Sequence, residues 1–205
     1  MPHHKTFIYR ILIAASLALM LTACSTLQPT SPENYHQLTW SKRLVQLKKL
    51  NKWSLRGSFS IHYANRTDIA SYQWQQNYDN YQIKISSPLN LVHLDLYGNR
   101  QQITLQKSTH EIYTAATPEE LLQQQVGWEL PIANLVYWIK GMPAPESSYK
   151  IKLDSYNHLV ALKQQGWLIG YPTFTTINGI DLPHTINLEN PQLKIRMVVK
   201  EWLSL

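Results

Sequence analysis

Side chains that could do catalytic chemistry are scattered along this sequence. It contains no Gly-x-Ser-x-Gly segment, no His-Glu-x-x-His segment, no glycine-rich phosphate loop and no cysteine cluster. Glu119 and Glu120 are adjacent carboxylates, but Thr117 and Pro118 before them indicate a capped helix N-terminus. Besides His3 and His4 near its start, the chain has six histidines without metal-ligand spacing: His36, His62, His93, His110, His158 and His184. The sequence therefore predicts no enzyme, no metal site and no cofactor, although distant residues can still meet in a fold.

The residue with the most distinctive chemistry is Cys24, the single cysteine of the chain. Before it come a start that carries Lys5 and Arg10, an uncharged run over residues 11–21, and two small residues. This order is typical of a secretory signal peptide, and the apolar run is shorter than the roughly 20 residues that cross a bilayer. An internal disulfide is impossible with one cysteine.

Residues 21–24, Leu-Thr-Ala-Cys, resemble the lipobox of bacterial lipoproteins. This resemblance implies cleavage before Cys24 and acylation of that cysteine. It also implies that Ser25 directs sorting, because in such lipoproteins aspartate at that position favours retention in the inner membrane, whereas serine allows transfer to the outer membrane. The alternative is an ordinary signal peptide with a chance cysteine.

The expected division of the chain follows from this segment. Residues 1–23 are a signal peptide that is removed, residues 24–32 are a lipidated flexible tether with two prolines, and residues 33–205 are a single domain. Seventeen basic and thirteen acidic side chains remain after cleavage. No stripe of basic and aromatic residues accompanies this mild excess, so we expect no nucleic-acid partner. Seven tryptophans and twelve tyrosines suggest apolar surfaces that meet water or lipid.

The domain is predicted to begin with a helix. Ser31-Pro32 is typical of an N-cap followed by proline at the first helical position, and the helix should run from about Glu33 to Leu50. Its apolar positions are Trp40, Leu44 and Leu47. Its basic positions are Lys42, Arg43, Lys48 and Lys49. We interpret the basic side chains as a solvated face, with a functional basic patch as the alternative.

Most of the domain has the period of two that is typical of strands. Apolar and polar residues alternate from Trp53 to Tyr63 and then in short segments separated by turns every eight to twelve residues. Two amphipathic helices interrupt this pattern, one after Thr117 and one after Pro131. The predicted fold is mainly β (α+β): an antiparallel meander closing towards a barrel or half-barrel, with helices across its concave side. Such a barrel either fills with side chains or encloses a ligand cavity.

A loop is predicted between two of these strands, at Pro88, Leu89 and Asn90. Pro88 cannot donate to a strand ladder, which places a large apolar residue at the tip of a turn. Leu89 would then be a hydrophobic probe for a membrane or an acyl chain. The alternative is that Leu89 folds back into the core.

Nearly the whole chain resembles the LolB family of outer-membrane lipoprotein receptors. The segments with the family's order and spacing are residues 21–24, Trp53-Ser54-Leu55-Arg56-Gly57, Trp74-Gln75-Gln76, Ser87-Pro88-Leu89, Leu121-Leu122, Gly127, Leu130-Pro131, Leu135, Trp138-Ile139-Lys140-Gly141-Met142-Pro143, Gly166-Trp167, Tyr171, Leu182-Pro183 and Trp202. Asn90 departs from the family's usual glycine, although asparagine also tolerates positive φ.

The resemblance implies an incomplete antiparallel barrel of about ten or eleven strands with short helices over a hydrophobic cavity. It implies a monomer at the outer membrane, anchored through Cys24 and facing the periplasm. Such a receptor accepts acylated lipoproteins from the periplasmic carrier LolA and inserts them into the inner leaflet of the outer membrane, without nucleotide. Our candidates for the cavity wall are Trp74, Ile83, Ile85, Leu94, Leu96, Leu135, Trp138, Ile139, Trp167 and Tyr171.

Two alternatives remain from the sequence. One is a structural or interaction lipoprotein with a filled barrel and no acyl-chain ligand. The other is a lipoprotein enzyme, for which the sequence offers no nucleophile and base. The size of the interior cavity distinguishes a receptor from a filled barrel.

Overall fold

The computed structural model describes residues 29–88, 93–99, 102–128 and 130–204. The predicted signal peptide, Cys24, Leu89 and Asn90 lie outside these residues. Three α-helices in the described part of the chain are α1 (Trp40–Lys49), α2 (Pro118–Val126) and α3 (Ile132–Trp138), and a 3₁₀ turn (Pro32–Asn34) precedes them. The strands are β1 (Lys52–Tyr63), β2 (Arg66–Asn77), β3 (Asn80–Ser86), β4 (His93–Gly98), β5 (Ile103–Gln106), β6 (Ile112–Ala115), β7 (Tyr149–Leu153), β8 (Leu159–Gln164), β9 (Trp167–Ile177), β10 (Ile180–Glu189) and β11 (Lys194–Ser204).

All eleven strands form one antiparallel sheet in the order β6-β5-β4-β3-β2-β1-β11-β10-β9-β8-β7. β6 and β7 are its two edges, so the sheet is an open half-barrel. The prediction of an incomplete antiparallel barrel with about ten or eleven strands is confirmed. Pairing of β1 with β11 joins the two meanders and places the first and last strands at the centre of the sheet.

The turns of an antiparallel meander alternate between two ends of the sheet. At one end lie the β2–β3, β7–β8 and β9–β10 turns together with α1, and we call this the α1 end. At the other end lie the β1–β2, β3–β4 and β10–β11 turns, and we call it the Pro88 end. β1 has twelve residues and is about 40 Å long, whereas β3, which leads from the α1 end to Pro88, has seven residues and is about 23 Å long.

The helix predicted over residues 33–50 is wrong in its first half. After the 3₁₀ turn the chain is extended until Thr39, whose Oγ1 accepts a hydrogen bond from the Lys42 amide at the start of α1. The reason is tertiary, because the His36 amide donates to the Asp181 carboxylate at 3.0 Å and the His36 carbonyl accepts from Arg43. These contacts keep both backbone groups of His36 out of a helix.

The two helices in the middle of the chain begin close to the predicted positions. Thr117 Oγ1 accepts from the Glu120 amide at 3.3 Å and caps α2, which ends at Gly127 with φ 77°. Glu119 Oε1 accepts from the Ala133 amide and so satisfies the first turn of α3. In the described residues no helix is long and apolar enough to span a bilayer.

Candidate functional site

An apolar cavity lies between the concave face of the sheet and the helices α2 and α3. Its volume is about 40 Å³. The lining residues are Phe59, Ile61, Tyr72, Trp74, Ile83, Ile85, Leu96, Leu122, Trp128, Leu130, Ile132, Leu135, Ile195 and Met197. Burial raises the pKa of Tyr72, so its hydroxyl is neutral and the cavity wall carries no charge.

Strand register explains why this wall is continuously apolar. Leu55, Trp74, Ile83, Leu96 and Leu105 are cross-strand partners on β1 to β5, so one row of large side chains runs across five strands. All five are at most 4 % exposed. Because side chains alternate between faces along each strand, the positions two residues before or after this row point into the same interior.

Five of the ten predicted wall residues line this cavity: Trp74, Ile83, Ile85, Leu96 and Leu135. The structure places the other five elsewhere in the buried core. Leu94 is the cross-strand partner of Ile85, and Ile139 is fully buried after α3. Trp138, Trp167 and Tyr171 form a group of their own.

This aromatic group packs the last turn of α3 against β8 and β9. Trp138 Nε1 donates to Gln164 Oε1 at 2.8 Å, and the Tyr171 hydroxyl donates to the Trp138 carbonyl at 3.0 Å. The ring centroids of Trp138 and Trp167 are 6.2 Å apart. Because the Trp138 indole is bonded to Gln164 and the Tyr171 hydroxyl to the backbone of α3, these residues fix the position of α3 on the sheet.

Sequence reasoning missed nine of the lining residues. Most carry the strand or helix period and could have been selected from it: Phe59, Ile61, Tyr72, Leu122, Ile132, Ile195 and Met197. Trp128 and Leu130 carry no such signal, because they lie in the α2–α3 connection.

Trp128 closes the cavity towards the Pro88 end. It follows the left-handed Gly127, and its ring packs edge-on against Phe59 with centroids 5.8 Å apart. Phe59 belongs to the half of β1 that leads to the β1–β2 turn. We call the side of the cavity that Trp128 covers its mouth, because Trp128 lines the cavity and is 7 % exposed. This side and the loop that begins at the exposed Pro88 lie at the same end of the molecule.

A second cluster, polar and buried, lies at the α1 end. Asp181 on β10 accepts from Thr176 Oγ1 at 2.7 Å and from Arg43 Nη1 at 3.2 Å, and His158 Nε2 lies 3.0 Å away. Nδ1 of His158 lies 2.9 Å from Asp154 Oδ2. Burial by itself would raise the pKa of Asp181, but the hydrogen bonds from His158, Thr176 and the His36 amide, with the charge of Arg43, hold this pKa well below its usual range.

This cluster is structural in character. Both ring nitrogens of His158 face carboxylates, and its ring stacks on Phe174 at 4.4 Å, so neither nitrogen is open to a substrate. In the part of the chain that the structure describes, no group of His, Cys, Asp or Glu is arranged to hold a metal ion. Arg43, predicted to be solvated, is 2 % exposed.

Lys140 joins α1 to the segment after α3. Its Nζ donates to the Leu50 carbonyl at 3.1 Å, and thus binds the C-terminal end of α1, where a cation is favourable. Burial lowers the pKa of Lys140 to about 8. Gly141 follows with φ 75°, and a Cβ there would lie 3.0 Å from Pro183. The positive φ and the nearby Pro183 explain why glycine follows Lys140 in the Trp138–Pro143 motif.

The architecture of this chain is an open half-barrel with helices over an apolar interior, and solved structures share it. The fold is similar to that of a LolA superfamily protein from Nitrosomonas europaea, with a TM-score of 0.55 and 10% sequence identity over 80% of this chain and 93% of that one. It is also similar to a putative outer membrane lipoprotein-sorting protein domain from Vibrio parahaemolyticus, with a TM-score of 0.53 and 6% identity over 80% and 89% of the two chains. At such identities the likeness concerns the fold alone.

Sequence comparison identifies the family. The model of the family described as outer membrane lipoprotein LolB matches residues 51–202. An outer-membrane lipoprotein LolB from Coxiella burnetii (strain RSA 493 / Nine Mile phase I) is 44% identical over 196 residues, which cover 95% of this chain and 92% of the relative. One from Nitrosococcus oceani is 34% identical over 94% of this chain and 96% of the relative. The chain belongs to the outer-membrane lipoprotein LolB family.

Proposed function

We propose that this protein is a lipid-anchored receptor of the outer membrane that accepts acylated lipoproteins from the periplasmic carrier LolA and inserts them into the inner leaflet. The observation that carries the proposal is the uncharged cavity, which lies under helices and has its mouth beside the Pro88 loop. Membership of the LolB family supports the same role. This membership makes a structural lipoprotein with a filled barrel the less favoured alternative. The proposed receptor role requires no enzyme activity.

The cavity must enlarge before it can hold an acyl chain. Ligand cavities are usually about 300–1,000 Å³, whereas this one measures about 40 Å³. The side-chain contacts that hold the α2–α3 cover include Lys107 Nζ with the Gln125 carbonyl at 3.1 Å, and Asn134 with Gln165. The hydrogen bonds of Trp138 with Gln164 and Tyr171 also hold the last turn of α3. Separation of α2 and the start of α3 from the sheet would admit a chain while the end of α3 stays attached.

Transfer without nucleotide requires each site to hold the acyl chains more tightly than the site before it. Each buried methylene contributes about 0.8 kcal/mol, so small differences in fit between carrier, receptor and bilayer give a downhill path. Cys24 would carry the lipid anchor, residues 24–32 would be the tether, and residues 33–205 would act as a monomer. We propose that Pro88, Leu89 and Asn90 contact lipid during release.

The ten predicted wall residues have two roles in this proposal. Trp74, Ile83, Ile85, Leu96 and Leu135 would contact an acyl chain as soon as the cover moves. Leu94, Trp138, Ile139, Trp167 and Tyr171 would contact it only if the chain extends further along the interior.

The decisive experiment mixes a purified complex of the carrier and a lipoprotein with the mature receptor and then identifies the protein that holds the lipoprotein. We expect the lipoprotein to co-purify with the receptor. Ile85→Glu puts a charge on the cavity wall and should prevent acceptance, whereas Ile69→Glu at a side chain that is 59% exposed should not. Retention of the lipoprotein by the carrier in the presence of the unmodified receptor would refute the proposal.

A further inference from the structure

We infer that the outward face of α1 is a docking surface for an anionic phospholipid bilayer, and that docking there holds the cavity mouth away from the membrane. This inference rests on the lipid anchor of the proposed function. It concerns the orientation of the receptor on the bilayer and is independent of what the cavity binds.

The outward face of α1 is basic and partly apolar. The helix contains no acidic residue, and Lys42, Val45 and Lys49 follow one another at i, i+3 and i+7, with Lys48 beside them. All four side chains are exposed, including 55% of Val45. Within the described residues, no ion pair joins Lys42, Lys48 or Lys49 to a carboxylate.

The same surface continues beyond the end of α1. The Tyr78 amide donates to the Asn51 carbonyl at 2.7 Å, which places the β2–β3 turn against the end of the helix. Lys52 Nζ lies 5.1 Å from the centroid of the Tyr78 ring, and Tyr78 is 61% exposed. Asp79 on this turn carries one negative charge, which reduces the excess of positive charge on this surface by one. Lysines with an exposed tyrosine and valine suit a headgroup layer, because the ammonium groups meet phosphates while the apolar parts enter the interface.

Buried contacts fix the direction in which this face points. Arg43 lies on the inward side of α1 and donates to the His36 and Tyr156 carbonyls at 2.8 and 3.1 Å as well as to Asp181. Lys140 binds the other end of the helix through the Leu50 carbonyl. With both ends of α1 attached to the body, its lysines point out of the α1 end.

The tether leaves the body at the same end. The Thr30 amide donates to the Phe174 carbonyl at 3.0 Å, and Thr30 Oγ1 accepts from the Thr176 amide at 2.7 Å. Thr30 is six positions after Cys24, and six residue steps reach at most about 20 Å. An acylated Cys24 therefore keeps the α1 end close to the bilayer, whereas the Pro88 loop is about 23 Å from the β2–β3 turn along β3.

Charge at the Pro88 end is arranged differently. Arg66 is paired with Asp68 and Lys194 with Glu189, each at 2.9 Å. The exposed Lys163 at this end also has no ion pair within the described residues, but the α1 face gathers three such lysines on one helix, which makes it the more attractive surface for an anionic bilayer. In this pose Trp128 and the cavity mouth face the periplasm, where a carrier arrives. Contact of the Pro88 loop with the bilayer then requires the receptor to tilt onto its side.

Depth-sensitive fluorescence on the lipidated full-length protein tests this orientation. Acylation occupies Cys24, so Val45→Cys supplies a single thiol for a fluorophore on α1, and Gln192→Cys supplies one on the exposed β10–β11 turn at the Pro88 end. Each protein is reconstituted into phosphatidylcholine vesicles with or without phosphatidylglycerol, together with a lipid that carries a nitroxide quencher on its headgroup.

We expect phosphatidylglycerol to increase quenching at position 45 about twofold, 0.5 M salt to abolish the increase, and position 192 to be unaffected. Lys42→Glu/Lys48→Glu/Lys49→Glu should remove the increase, whereas Lys84→Glu/Lys163→Glu/Lys200→Glu, with the same change of charge at exposed strand positions, should keep it. The inference would be overturned if quenching at position 45 did not change with phosphatidylglycerol, or if quenching were stronger at position 192 than at position 45. Neither result depends on lipoprotein transfer, so the proposed function is tested separately.

Discussion

Arg43 on α1 and Asp181 on β10 form a buried ion pair with 3.2 Å between Nη1 and Oδ2, although 138 residues separate them in sequence. The side chain of Asp181 is fully buried and that of Arg43 is 2% exposed. The pair connects the segment after the tether to the half of the sheet that β7–β10 form. It thereby sets the position of α1 and of the face that we infer to dock on the membrane.

Asp181→Asn should destabilise the fold, because it leaves the Arg43 guanidinium buried without a counter-charge. We expect the free energy of unfolding to fall by about 3–5 kcal/mol in urea titrations at pH 7. Glu189→Gln is the matched control, since it removes a carboxylate from an exposed pair with Lys194 and should cost at most about 1 kcal/mol. Equal effects of the two substitutions would show that the buried pair does not hold α1 in place.

Stability should also fall in acid through the same carboxylate. The folded-state pKa of Asp181 is held well below that of an unfolded chain, so the ionised group stabilises the fold at neutral pH, and this contribution is lost as the pH falls below about 4. Urea titrations between pH 7 and pH 3 should therefore give a steeper loss for the unmodified protein than for Asp181→Asn. Parallel curves would contradict the prediction.

Trp128→Leu should open the cavity to small apolar molecules, because it removes ring atoms from the mouth while it keeps an apolar side chain. We expect the affinity for a hydrophobic fluorophore such as 1-N-phenylnaphthylamine to rise several-fold. Trp202→Leu is the control, because Trp202 is also 7% exposed but packs against Trp53 and does not line the cavity. If the two variants bound the fluorophore equally, Trp128 would not be the barrier.

Leu89→Glu should impair delivery of lipoproteins into vesicles and leave their acceptance from the carrier intact. The physical reason is that a carboxylate at the predicted loop tip would resist entry into lipid, whereas the cavity is unchanged. The readout is the fraction of lipoprotein that floats with vesicles after transfer. Gln192→Glu adds the same charge to another exposed turn at this end and should deliver normally. Normal delivery by Leu89→Glu would exclude the loop as a lipid probe.

The strand pattern was sufficient for the fold because consecutive strands along the chain pair with each other, except for β6 and β7 at the two edges. Trp74, Ile83 and Leu96 were identifiable as wall residues for the same reason, since hairpin register carries an inward position on one strand to the next. The meander does not by itself reveal that β1 pairs with β11, and this pairing brings Ile195 and Met197 to the cavity. Trp128 was missed because a residue in a connection has no period.

The start of α1 was mispredicted for a comparable reason. Ser31-Pro32 is a valid helix start and does begin a 3₁₀ turn. The helix does not continue, because His36 is hydrogen-bonded to the Asp181 carboxylate. The hydrogen bond from the His36 amide to Asp181 spans 145 residues, and local propensity contains no information about it. The predicted anchor at Cys24 and the probe at Leu89 lie outside the described residues and stay predictions.

The small volume of the cavity has an energetic consequence. If a ligand that needs more than 40 Å³ enters only after the cover has separated from the sheet, its apparent dissociation constant is the intrinsic one divided by the open fraction. An open fraction of about 1% would weaken apparent binding about a hundredfold. The same closing tendency would assist release, because collapse of the empty walls competes with rebinding of the departing chain. The resting closure thus sets both a threshold for entry and a drive for exit.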